Sequence, residues 1–379
     1  MDFLLNREQE LVRKMMHDFT ENEIRPIAAE TDKTAQYPRE TIDKLFHYGV
    51  MGMAVPKEYG GSGADDLACA LAIEEISKVC ASTGDIVATH NGLCCGPIIQ
   101  NGTEEQKRKY LPMLTKGGKV GAFCLTEPNA GSDASKGCTT AKLEGDHYVL
   151  NGSKIFITNG YVADVLVVFA MTDQSKGTKG ISAFIVESSF PGFSVGKHEV
   201  KMGLHGSPTA EIVFMDCIVP KENLLGKEGK GFGIAMQTLD GGRIGIAAQA
   251  LGIAEGAMHE AMEYTKGRVQ FGKPISKFQN TQFTLADMYM GIQAGQLLTY
   301  KAAAAKAAGV RFTMEAACAK LFCSELAMRT TTKAVQMFGG YGYTQDYPVE
   351  RMMRDAKITE IYEGTSEVQR IVISANLGL

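Results

Sequence analysis

At 379 residues, 45% hydrophobic and 22% charged, the chain has the make-up of a globular protein and is too long for one ordinary core, so two or three domains are expected. A net charge of −4 argues against nucleic acid as the main partner. No apolar run reaches the roughly eighteen residues that a membrane span needs.

Residues 1–118 read as helices. From Arg7 to Glu30 the apolar residues Leu11, Met15, Phe19 and Ile24 are spaced for one face of a single helix. The N-terminus before it has the pattern of neither a signal peptide nor a transit sequence. A second helix is predicted over Arg39–Tyr48, stopped by Gly49. After the Gly-rich turn at 59–63, Asp65-Asp66 opens a long apolar helix through Val79, and another covers Gly84–Asn101. Thr103-Glu104-Glu105-Gln106 has the form of a capping box for one more.

From residue 119 to 226 the period changes to that of strands. Val120–Thr126, Cys138–Leu143, His147–Leu150, Lys154–Thr158, Val165–Met171, Ile181–Val186 and Ala210–Phe214 are short β-type runs. Gly145-Asp146 and Asn151-Gly152 are predicted hairpin turns. Strands in succession without helices between them suggest an antiparallel sandwich or barrel. From 227 to 379 the helical period returns in Phe232–Lys266, Lys277–Ala308, Thr313–Phe338 and Ser366–Ala375, joined by short loops as in an antiparallel bundle. Nine scattered cysteines without a CxxC pair argue for a reducing compartment, and seven histidines without ligand spacing predict no metal site.

Several stretches carry chemistry. Near the C-terminus Glu363 is followed by Gly364, Thr365 and Ser366, with Ser366 placed to cap a helix whose face holds Val368, Ile371 and Val372. A carboxylate beside a backbone amide freed by glycine suits removal of a proton next to a carbonyl that the amide polarises. The bland alternative is an exposed Glu at a helix cap. Phe123-Cys124-Leu125-Thr126-Glu127-Pro128-Asn129-Ala130-Gly131-Ser132 ends a strand in a hydroxyl and a loop of small residues able to hold a phosphate or a polar ring edge, or is an ordinary loop. Phe156-Ile157-Thr158 sets an aromatic ring and a hydroxyl on one strand. Gln336-Met337-Phe338-Gly339-Gly340 is either a helix C-cap or a place for a diphosphate to approach the backbone. Arg268, with Phe271 and Gln279 after it, suits a phosphate pair or a surface ion pair. No GxGxxG is present, so a nucleotide cofactor would bind in another way than on a Rossmann fold.

Taken together, the Thr126 loop, the Thr158 strand, Gln-x-x-Gly-Gly and Tyr-Glu-Gly-Thr stand in an order and spacing that resembles the acyl-CoA dehydrogenases, FAD-dependent flavoproteins. The likeness covers essentially the whole chain and leans to the short-chain, butyryl-CoA branch of anaerobic bacteria.

The resemblance implies an α+β fold: an N-terminal helical domain, a middle antiparallel β domain and a C-terminal four-helix bundle, in a homotetramer. It implies FAD as cofactor, with Phe123, Leu125, Thr126 and Ser132 along the flavin and Phe156, Ile157 and Thr158 beside it on the next strand. Phe156 stands where many relatives carry tryptophan, and this chain has none. Arg268, Phe271, Gln279, Gln336, Gly339 and Gly340 match positions that bind a neighbouring subunit's FAD, and Thr365 and Glu367 match those at its adenosine half. Glu363 matches the catalytic base. The family's alternative base would fall at Gly242, which cannot serve. Asp240 and Arg243 match substrate contacts, as do Tyr362 and Gly364 beside the base, and Ser132 lies along the pantetheine path. The implied reaction takes the α-proton to Glu363 and the β-hydride to the flavin, converting an acyl-CoA such as butyryl-CoA to its trans-2-enoyl-CoA, with an electron-transferring flavoprotein as redox partner. The same residues serve an enoyl-CoA reductase. Gly92 and Gly96 leave room for an aryl-acrylyl tail of the cinnamoyl or caffeyl kind. A catalytically idle flavoprotein is the reading from another class, and an oxygen-using acyl-CoA oxidase is set behind these because such relatives are generally longer polypeptides. The expected compartment is the bacterial cytoplasm, or the mitochondrial matrix for a processed eukaryotic chain.

Overall fold

Residues 4–379 are described by a computed structural model. The chain opens with helices α1 (Arg7–Phe19), α2 (Arg25–Thr34), α3 (Arg39–His47), α4 (Asp66–Ser77), α5 (Ala81–Ala88), α6 (Gly96–Asn101) and α7 (Glu104–Thr115). Local chemistry starts three of them. Asn6 with Gln9, and Thr103 with Gln106, form capping boxes, and the Asp65 side chain accepts from Ala68 N–H. The single helix expected from Arg7 to Glu30 is interrupted by a π turn at Thr20–Ile24. In α1 the buried stripe is Gln9, Met16 and Phe19, so Leu11 and Met15 face solvent instead of the core. A second π stretch, Thr89–Cys95, joins α5 to α6 inside the expected Gly84–Asn101 helix.

Strands β1 (Val120–Cys124), β2 (Thr140–Glu144), β3 (His147–Thr158), β4 (Ala163–Met171), β5 (Ile181–Glu187), β6 (Phe193–His198), β7 (Thr209–Pro220) and β8 (Leu224–Leu225) form one sheet. Its order is β6-β7-β3-β2-β4-β5-β8, with β1 laid against β4. Most pairs are antiparallel as expected, but β1 runs parallel to β4, and so does the single β2–β4 pairing at Thr140. Asn151-Gly152 is not a hairpin turn. β3 passes straight through it, and Gly152 takes φ 144° at a bulge opposite β7. Asn151 exchanges bonds with Asp216 there, at 3.0 and 2.8 Å, so its side chain ties two strands rather than starting a turn. Strand β6 was not expected, because it is largely solvent-facing and lacks apolar alternation.

The remainder is α8 (Gly231–Gly267), the hairpin β9 (Val269–Gln270) with β10 (Lys273–Pro274), α9 (Gln279–Ala307), α10 (Thr313–Phe338), α11 (Val349–Thr359) and α12 (Ser366–Asn376). Helix α8 is buried along most of its length, and a Cβ at Gly252 or Gly256 would run into the backbone of Glu74 or Lys78, so glycine lets α4 come close there. Helix α11 also lay outside the expectation: its buried face mixes Val349, Met352 and Ala356 with Arg351, Asp355 and Thr359, which masks the period. One core is shared by the N-terminal helices and the bundle, and two more cover the faces of the sheet. Among the described residues no helix is long and apolar enough to cross a membrane, and no cluster of His, Cys, Asp and Glu could hold a metal ion.

Candidate active site

The turn between α11 and α12 is built from strained backbone. Glu363 has φ 49° and Gly364 φ 93°, a region that costs a side-chain-bearing residue about 1–3 kcal/mol unless its surroundings hold it there. They do. The Gly364 carbonyl accepts from Lys320 Nζ at 2.7 Å and from Gln369 Nε2 at 2.8 Å, and Gln369 Nε2 also reaches the Glu363 carbonyl at 3.2 Å. Thr365, not Ser366, caps α12 by accepting from Val368 N–H. The helix buries Ser366 and Gln369 while Ile371 is exposed, so the expected face of Val368, Ile371 and Val372 is turned partly outward; Gln369 is drawn in to serve the turn. On the other side the Tyr362 hydroxyl donates to Gln249 on α8, whose Nε2 donates to Ala81 O at 2.9 Å.

Glu363 Oε2 is buried and has no hydrogen-bond partner. Burial, and next the Asp85 carboxylate, push the Glu363 carboxyl up to about 8 against the opposing pull of Lys320 and Arg243. Asp85, on α5, is buried as well, accepts from Ser207 Oγ at 2.6 Å, and is raised to about 6 by burial. Arg243 on α8 pairs with Asp240 at 2.5 Å, yet its Nε is buried and unpartnered. The second Asp240 oxygen accepts from Thr313 Oγ1 at 2.7 Å. A Cβ built at Gly242 would collide with Glu363 Oε2, so the carboxyl occupies the room that glycine leaves. The N–H groups of Glu363 and Gly364 make no hydrogen bond to other described residues.

Gly242 also lines a cavity of about 720 Å³ between the N-terminal helices and α8. Asn91, Gly92, Gly96 and Gly245 line one part of it, and Asp240, Lys306 and Thr313 the polar part. A Cβ at Gly92 would meet nothing within 4 Å.

The strand motifs come together beside one another. Phe123 is buried with its ring 5.0 Å from that of Phe169. The Leu125 carbonyl accepts from Lys154 Nζ at 3.1 Å and the Thr126 carbonyl from Ile155 N–H at 2.9 Å. Behind them Glu127 and Lys154 form a buried ion pair at 2.6 Å, and Glu127 also takes the N–H groups of Cys138 and Thr139. This pair locks the 125–127 segment onto β3, and Ser132 follows on the exposed loop. At the β3 bulge Phe156 takes φ 59° and is 62% exposed, with Ile157 buried and Thr158 half-buried beside it.

Arg268, Gln336, Gly339 and Gly340 meet at a second cavity of about 500 Å³, which Tyr341 also lines. The Arg268 guanidinium lies over the Tyr341 ring at 5.7 Å, and Cβ atoms at either glycine would project into open space. Phe271 is 94% exposed at the tip of the β9–β10 hairpin and Gln279 is exposed at the start of α9. The two cavities share no lining residue. Thr365 at the N-cap and the exposed Glu367 in the first turn of α12 follow the base closely in the chain.

Lys320, Gln369, Gln249 and Asp85 shape the site and were not expected; they sit on separate helices, and no local pattern marks them. Glu127 and Lys154 lie inside the two strand motifs, where opposite charges flanking otherwise apolar runs were the available signal.

Comparison with known proteins covers the whole chain. Residues 6–118, 122–217 and 229–378 match the models of the acyl-CoA dehydrogenase N-terminal, middle and C-terminal domains. The chain is 62% identical, over all of both sequences, to the short-chain specific acyl-CoA dehydrogenase of Clostridium acetobutylicum. It is 52% identical to the acryloyl-CoA reductase (NADH) of Anaerotignum propionicum, covering 99% of this chain and 95% of that one. Among solved structures, butyryl-CoA dehydrogenase from Megasphaera elsdenii matches with TM-score 0.98 and 55% identity over all of both chains. A chain from a structural study of the electron transferring flavoprotein of Acidaminococcus fermentans matches with TM-score 0.99 and 57% identity, covering all of this chain and 99% of that one.

Proposed function

This chain belongs to the acyl-CoA dehydrogenase family, and we propose that it is a FAD-dependent member that interconverts short-chain acyl-CoA, butyryl-CoA first, with trans-2-enoyl-CoA and exchanges the electrons with an electron-transferring flavoprotein. One observation carries the reading: the Glu363 carboxyl lies buried and unpartnered against Gly242 at the cleft, with a free backbone N–H beside it.

The residues fit FAD. The exposed Phe156 ring, held outward by its left-handed backbone, and Thr158 next to it offer an aromatic face and a hydroxyl, with Thr126 alongside. Arg268 and the open Gly339-Gly340 backbone suit a diphosphate. Because this second group stands apart from Glu363, it would serve the FAD of a second copy in a homotetramer, with Phe271, Gln279 and Gln336, while Thr365 and Glu367 hold the adenosine half. Phe123, Leu125, Ile157 and Ser132 complete the wall. Asp240, Arg243, Tyr362, Gly364 and Ser132 would contact the thioester.

Bound FAD supplies the acceptor for the β-hydrogen and its electron pair. The chain supplies the rest. The Glu363 N–H polarises the thioester carbonyl, which acidifies the α-carbon, and the Glu363 carboxylate takes the α-proton. Burial that raises the carboxyl to about 8 makes the ionised form a stronger base and keeps water from it. Anaerobic addition of butyryl-CoA should bleach the flavin absorbance; failure of a panel of acyl-CoA and enoyl-CoA thioesters to change it would leave the idle-flavoprotein reading in its place.

A second reading has its own observation. A carboxyl raised to about 8 is protonated at neutral pH, the form that donates to the α-carbon of an enoyl-CoA. The open space at Gly92 would admit an aryl-acrylyl tail. These two facts support reduction of enoyl-CoA, with cinnamoyl- or caffeyl-type thioesters among the substrates, as the second reading. The division at 1–118, 119–226 and 227–379 and a bacterial cytoplasmic location belong to the same proposal.

A further inference from the structure

Lys320 is a buried group that the reaction above leaves without a task. It lies on α10 with no exposed surface, and its ammonium makes one hydrogen bond, to the Gly364 carbonyl at 2.7 Å. An ammonium taken out of water and given a single neutral acceptor is costly, so a buried lysine in this state needs a negative charge nearby. The charges around it are the carboxylates of Glu363, Glu360 and Glu367, which favour its protonated form, and Arg243, which opposes it. Burial lowers it to about 8 all the same. Facing Glu363 are Asp85 from α5, Arg243 from α8 and Lys320 from α10, and Lys320 comes first among the groups that favour the ionised carboxyl.

Geometry gives the lysine a second hold on the base. A trans peptide sets its C=O and N–H in opposite directions. Anchoring the Glu363 and Gly364 carbonyls on Gln369 and Lys320 therefore points the Gly364 and Thr365 N–H groups away from those donors and fixes the turn from which the Glu363 side chain departs. The strained φ of Glu363 persists only under such restraint, while Gly364 takes its positive φ freely.

We propose that Lys320 is a positioning residue for the acid–base step: it clamps the Glu363–Gly364 turn through the Gly364 carbonyl and places a buried positive charge that favours ionised Glu363 against burial and Asp85. This rests on Glu363 being the acid–base group. Ionised Glu363 in turn keeps Lys320 protonated, so the two exchange influence through space while the peptide carries the contact.

Three variants of the holoenzyme test it. Lys320→Gln keeps a donor for Gly364 and removes the charge; Lys320→Arg keeps the charge; Lys320→Met removes both. Glu363 ionisation is read without turnover as the infrared carboxyl band that disappears in Glu363→Gln, and with turnover as the acid limb of the dehydrogenation rate. In Lys320→Gln both should move about one pH unit or more upward, a roughly tenfold loss of rate at fixed pH on the acid side, with FAD content unchanged. Lys320→Arg should leave the limb near that of the parent. Lys320→Met should add a fall in the limiting rate at high pH, because the turn is no longer held. An unmoved band and limb in Lys320→Gln overturn the proposal. An active Glu363→Gln enzyme would instead overturn the role of Glu363 itself, and the two failures are told apart by which variant shows them.

Discussion

Glu363 and Phe271 have nearly the same backbone twist, φ 49° and 50°, in opposite surroundings. Around Glu363 the chain itself meets the strain: Lys320 and Gln369 hold the carbonyls, Thr365 caps the next helix, and Gly242 leaves the carboxyl its space. Phe271 sits at the tip of a two-residue hairpin, 94% exposed, with one edge contact to Phe278 at 6.2 Å. A large aromatic side chain held at positive φ in water gains nothing from the chain that carries it. The turn that carries Glu363 is thus held within one chain, whereas Phe271 has little packing of its own.

The largest way to break this contrast is at its buried end. Glu363→Gln should cut dehydrogenation by about 10³-fold or more while FAD stays bound, since an amide cannot take the α-proton but occupies the same volume. Stopped-flow bleaching by butyryl-CoA measures the first effect and the visible spectrum the second. A loss under about tenfold would remove Glu363 from the chemistry.

Gly242→Ala comes next. Its methyl would fall on Glu363 Oε2 and press on Leu93, so the carboxyl must shift. A shift of this kind should cost about 10²-fold in turnover with the α-proton step rate-limiting, read as a larger isotope effect with α-deuterated substrate. FAD content should not change.

At the exposed end the order of effects reverses. Arg268→Ala and Phe271→Ala should leave the buried base as it was and weaken FAD retention, with roughly tenfold faster loss on dialysis. Sedimentation should show dissociation of the assembly in parallel. If both variants hold FAD as a monomer, the exposed half does not serve a second copy.

What could be read in the sequence follows the same line. Asp65, Thr103 and Gln106 announce helix starts because the capping atoms lie within three residues of the N–H they serve. Thr126, Thr158 and Glu363 are visible because each sits in a short motif. Asp85, Gln249 and Lys320 act on Glu363 or Tyr362 from separate helices, so only packing reveals them. Asn151-Gly152 misleads for a related reason. The pair is a turn signal in isolation, but cross-strand bonds to Asp216 hold it inside β3. The π turn at Thr20–Ile24 likewise defeats a constant helical period.

The gentlest perturbation, which alters no residue and sharpens the contrast most, is that of pH. A carboxyl with its folded value raised to about 8 by burial and Asp85 is neutral below that pH and ionised above it. Dehydrogenation needs the ionised form, so its rate should climb about tenfold per pH unit up to about 8 and then level. Reduction of an enoyl-CoA needs the protonated form and should be level below about 8 and fall above it, a mirror image of the first curve. With each curve scaled to its own plateau, their crossing marks the Glu363 ionisation without assuming a direction for the enzyme in the cell. Binding of FAD through the exposed hairpin should not follow that titration. A flavin content that tracked the same limb would tie the two halves together and end the division between them.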